Sequence, residues 1–155
     1  MINLHPQLVH FPVALVTTLF FYELWCRLRK EKSNQNTVRF LLVLLLLGAA
    51  ASVGTGWWYE ENIPHPHEGA VHAIMEWHET LGFAALGGFA LLCIVYFFLQ
   101  DKKWGRLFYQ LLLTLLLAGT GLQAYLGGEL GHTHGLSLPA GEHPPMHLHE
   151  HQGHL

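Results

Sequence analysis

Four stretches, roughly residues 8–28, 38–59, 72–99 and 107–128, are each apolar for long enough to cross a bilayer, which takes about 20 residues as helix. In lipid every backbone polar group must be satisfied within the chain, so such stretches are helices. The sequence therefore predicts an all-α fold, a four-helix transmembrane bundle running up-down-up-down. Composition agrees: 51% of the 155 residues are apolar and 12% charged, far from a water-soluble globule of this size. Residues 1–135 form the membrane domain in this reading, and 136–155 a polar His-rich tail.

The charges fall on two sides. All eight Lys and Arg lie in two short segments, Arg27, Arg29, Lys30, Lys32 and Arg39 in one and Lys102, Lys103 and Arg106 in the other. These loops follow one and three crossings, and short basic loops stay cytoplasmic. Both termini and loop 60–71 are then extracytoplasmic, in a bacterial inner membrane or its equivalent. The first apolar run has no basic segment before it and no small-residue cleavage site, so it reads as a retained anchor. Nucleic-acid binding has no support. Cys26 and Cys93 form no CxxC or CxxCH motif and read as small buried apolar residues.

Pro6 and Pro12 bracket His10. Proline is tolerated in a first helical turn, so the first helix begins near one of them; if at Pro6, Pro12 bends it. Glu23 reads as an interfacial carboxylate paired with Arg27 one turn on. The second span thins from Leu to small residues, with Gly48, Ser52 and Gly56 four apart, before Trp57, Trp58 and Tyr59 mark an aromatic belt. Loop 60–71 is rich in Pro and Gly and reads as a turn. In the third span His78, Gly82, Ala85 and Phe89 share a face, leaving bare surface below His78 where a planar group could lie. In the fourth, Gln123 faces the interior.

All thirteen His lie away from the basic loops. His10, His78 and the group Glu129, His132 and His134 fall at similar depth near the histidine end. His10 and His78, on helices diagonal in an up-down-up-down bundle, match the axial needs of a b-type haem, with Gly56 and Gly82 giving room and Gln123 a hydrogen bond. The competing use is a copper, zinc or iron ion held by His5, His10, His78, Glu129, His132 and His134 and fed by the tail. A third reading is a structural subunit whose His serve packing. Glu76 and Glu79 flank His78, and Glu68 precedes His72 by one turn, suited to orienting imidazoles or to a solvated helix start. No phosphate loop, GxSxG or HExxH occurs, so hydrolase and nucleotide chemistry have no support.

HPQLVHFPVAL at 5–15, GTGWW at 54–58, WHETLGFAAL from Trp77 and GGELGHTHG at 127–135 together resemble the DUF2231 family of small bacterial membrane proteins. The resemblance covers all four spans and singles out His5, His10, His78 and His134; the long tail departs from it. It implies a four-helix membrane fold of unassigned function. Similar domains occur fused to Rieske iron–sulfur domains, which implies membrane electron transfer with a cytochrome or Rieske partner, as a subunit rather than a stand-alone enzyme.

Overall fold

The computed structural model describes residues 5–62 and 70–128. They form a one-turn helix α1 (His5–Leu8) and four long helices, α2 (His10–Leu28), α3 (Gln35–Asn62), α4 (Ala70–Leu99) and α5 (Lys103–Gly128), with no strand among them. Each long helix is apolar enough to cross a membrane, the first span being α1 and α2 together. The helices α3, α4 and α5 start two to four residues before the apolar windows, and α3 runs three beyond its own, so residues 60–62 and 70–71 of the expected turn are helical.

Neighbours in sequence pack together and α5 closes the ring on α2, while α2 does not pack on α4 nor α3 on α5 among the described residues. This is the expected up-down-up-down bundle, with α2 and α4 on one diagonal. Its interior follows from spacing. Pro12, Val16, Leu19 and Cys26 on α2, Val38, Leu42, Leu45, Ala49 and Ser52 on α3, Phe89, Leu92 and Tyr96 on α4, and Tyr109, Leu113, Leu116 and Thr120 on α5 are buried. Steps of three and four residues keep one narrow stripe of each helix on the axis.

The remaining faces are apolar too, and exposed: Phe21, Phe40, Leu47, Ile94, Phe98 and Leu115 point outward, as lipid contact requires. The five Trp sort to the two rims. Trp57, Trp58 and Trp77 lie at the histidine end, and Trp25 and Trp104 at the basic end, where Arg29 and Lys102 sit over their rings at 5.7 and 5.6 Å.

Local chemistry explains the helix ends. At the end of α2, Lys30 adopts φ 57°, and the N–H groups of Lys30 and Glu31 return to the carbonyls of Arg27 and Cys26 at 3.0 and 2.9 Å, a Schellman closure. Asn34 then caps α3, its Oδ1 accepting from the N–H of Asn36 at 2.9 Å and of Thr37 at 3.2 Å. The ion pairs of the described residues are Arg29–Glu31 and His72–Glu76. The expected Glu23–Arg27 pair is not among them, because Glu23 lies on the inward stripe of α2 while Arg27 is exposed.

Candidate functional site: a histidine pair across the bundle axis

Pro12 shapes the histidine end. Its nitrogen has no hydrogen to give the carbonyl of Leu8 four residues back, and its ring crowds that carbonyl. The hydrogen-bond ladder is interrupted around Val9, which keeps helical dihedrals (φ −64°, ψ −24°), and α1 is the turn before it, closed by Val9 N–H to His5 O at 3.1 Å. The released Leu8 carbonyl lies 3.0 Å from the hydroxyl of Ser52 on α3, which is also 2.9 Å from Gly48 O and can donate to either. The backbone carbonyl of Ser52 in turn accepts from Nδ1 of His5 at 2.9 Å, with Thr55 Oγ1 at 3.4 Å. One serine thus meets the needs of a proline-broken helix and orients an imidazole. Since a carbonyl only accepts, His5 carries its proton on Nδ1, and the lone pair of its neutral ring is on Nε2.

His78 of α4 faces His5 across the axis. Their ring centres are 6.3 Å apart and their planes nearly perpendicular, at 88°. His78 lies against the backbone of Gln123, yet its Nδ1 is enclosed with no hydrogen-bond partner. An enclosed polar atom left unpaired costs about 1–3 kcal/mol, so this nitrogen calls for a ligand or a partner.

Glycines let the rings in. A Cβ on Gly56 would stand 2.8 Å from Cε1 of His5, and one on Gly127 would stand 3.0 Å from Cε1 of His78. The first is closer than a Cβ comes and the second is tight enough that the ring would have to give, so α3 and α5, the other diagonal, are bare where the imidazoles pass. Gly82 plays a different part from the expected one. A Cβ there would meet Nε2 of Gln123 at 3.0 Å, so the surface below His78 is covered by that amide rather than open to a flat group.

Of the sequence-predicted residues, the fold brings together His5, His78, Gly56, Gly82 and Gln123. It does not bring His10 to them. His10 is exposed, in register with Ala14, Thr18, Phe21 and Trp25, an outward row, so His5 and not His10 is the histidine that meets His78. Ser52 as orienting group and Gly127 as clearance were not singled out for these roles. The signal existed: His5 precedes Pro12 by seven residues, Gly127 follows Gln123 by four, and Ser52 is four from Gly56. Glu129, His132 and His134 lie outside the described residues, as do the tail, Glu68 and the other loop His. His72 Nε2 is 3.9 Å from Glu76 Oε1, one turn on at the rim.

Among the described residues no three His, Cys, Asp or Glu are grouped to hold an ion. Two imidazoles alone suit an axial pair. An imidazole nitrogen lies about 1.1 Å from its ring centre and metal–imidazole bonds run ~2.0–2.1 Å, which puts the ring centres of two opposed ligands about 6.3 Å apart and of two tetrahedral ligands about 5.1 Å apart. The observed 6.3 Å at 88° is the spacing of an ordinary edge-to-face ring pair and also leaves room for a group between the rings.

The sequence model of the DUF2231 family, described as predicted membrane proteins, matches residues 1–139. The chain belongs to that family. No curated protein and no solved structure matches it.

Proposed function

We propose that this DUF2231 membrane protein holds a b-type haem between His5 and His78 and passes electrons at the histidine end. The observation that carries the reading is the 6.3 Å separation of two imidazoles brought from diagonal helices. Supporting it are the Ser52 carbonyl, which keeps the Nδ1 proton of His5 in place, and the unpaired Nδ1 of His78. A bound haem iron supplies a one-electron couple. The protein's part is to fix both rings and keep their approach clear with Gly56 and Gly127; the Gln123 amide, which covers Gly82, must turn aside for the flat group. By the distribution of basic residues this end is extracytoplasmic, N-out and C-out, in a bacterial inner membrane, where a cytochrome or Rieske protein is the natural redox partner.

The test is the absorption spectrum of the full chain purified from its native membrane. A Soret band that shifts on reduction is expected, lost in His5→Ala and in His78→Ala but kept in His10→Ala and in a chain ending at residue 135. Stoichiometric copper, zinc or iron with no Soret band would replace haem by a non-haem site completed by Glu129, His132 or His134. Absence of any metal would leave the structural-subunit reading.

A further inference from the structure

At the opposite end of the bundle a second polar group lies on the axis. Glu23 continues the inward row of α2, four residues after Leu19 and three before Cys26, so helical periodicity aims it at the interior. It is half-buried inside a candidate span, and neither ion pair of the described residues includes it. Its carboxyl takes a side-chain hydrogen bond from Ser33, and Arg27 acts on it only through space.

What faces Glu23 comes from every helix around it. Tyr96 of α4 and Tyr109 of α5 feel its charge, and their ring centres are 5.2 Å apart. Arg39 of α3 acts on Tyr96 from the same region, as does Tyr22 of α2, whose hydroxyl accepts from Asn34 N–H at 2.9 Å. Cys93 acts on Tyr109 but gives its own S–H to Leu42 O at 3.7 Å. Tyr109 is only 3% exposed, and its hydroxyl is enclosed with no hydrogen-bond partner. Nε of Arg39 is enclosed and unpaired as well.

A carboxyl within a span is costly unless it serves something. Here the carboxyl has the Ser33 side chain as a hydrogen-bond partner, with two phenols in its electrostatic reach. Toward the histidines the axis is shut by Leu19, Leu42, Leu45, Phe89, Leu92 and Leu113, none more than 1% exposed. A proton on this carboxyl has no polar route that way. We propose that Glu23, with the unpaired Tyr109 hydroxyl as its interior neighbour, is a proton-binding site that loads and unloads through the basic end of the bundle.

The test uses the full chain in lipid nanodiscs and the probe N,N′-dicyclohexylcarbodiimide. A protonated carboxyl in apolar surroundings gives its proton to a carbodiimide nitrogen and bonds the central carbon through oxygen; acyl migration to nitrogen then leaves a stable N-acylurea, with nothing released. Peptide mass spectrometry is expected to place the adduct on Glu23, with none in Glu23→Gln, and a water-soluble carbodiimide should not produce it. Above its midpoint the labelling rate should fall about tenfold per pH unit, as the protonated fraction does. Tyr109→Phe should change the rate at fixed pH by roughly threefold or more, the scale of one hydrogen bond, while lipid-facing Phe98→Leu leaves it unchanged. The proposal is overturned if Glu23 is not labelled, if its labelling ignores pH, if Tyr109→Phe has no effect, or if sodium at fixed pH protects it as a bound cation would.

Discussion

The two ends of the bundle both put polar side chains on the axis, but in opposite company. At the histidine end the neighbours are Gly56, Gly82, Ser52 and Gly127, and α3 and α5 come close enough for backbone to serve side chains, as the Ser52 carbonyl serves His5. At the basic end the neighbours are Tyr96, Tyr109 and Arg39. There one carbonyl, that of Leu42, takes the Cys93 S–H across helices, while the Tyr109 hydroxyl and Arg39 Nε are left unpaired. Small residues thus make an orienting site, and large ones a site whose hydrogen bonds can still be reassigned.

The strongest way to break the contrast is to loosen what both ends share. Leu42→Ala or Leu92→Ala, each at 0% exposed, should cost about 2–5 kcal/mol, lowering the detergent-melting temperature and weakening both the histidine-end spectrum and Glu23 labelling. Next comes a change confined to one end. Gly56→Val puts a branched side chain where His5 sits; cofactor retention should fall by about tenfold or more, as ligand-orienting changes do, with Glu23 labelling intact. Ser52→Ala removes the hydroxyl offered to the Leu8 carbonyl and should cost roughly 1–2 kcal/mol in thermal unfolding, yet leave the Ser52 carbonyl on His5, so any spectral change should be smaller than for Gly56→Val. Last is Tyr109→Phe in stability: deleting an unpaired buried hydroxyl should raise the unfolding free energy, by about 1 kcal/mol, even as it alters the labelling rate.

Much of this was legible in the sequence because a spanning helix has few options. Apolar length gave the four helices, the basic loops gave the two unlike ends, and His78, Gly82, Ala85 and Phe89 gave a true interior stripe. That His5 rather than His10 meets His78 has a physical reason. Depth alone favours His10, since apolarity begins near residue 8, but rotation decides contact, and His10 shares its row with outward Phe21 and Trp25. Glu23 misled in the same way: proximity to Arg27 suggested a rim pair, whereas its register with Leu19 and Cys26 turned it inward. The Gln123 amide over Gly82 was not readable, because a glycine advertises space without saying which neighbour takes it.

The interruption at Val9 has a consequence for how His5 is held. Because α1 is tied to α3 through Ser52, the place of His5 is set by that turn more than by the packing of the long helices. The imidazole is then aimed by a latch of a few hydrogen bonds, not by the four staves of the barrel.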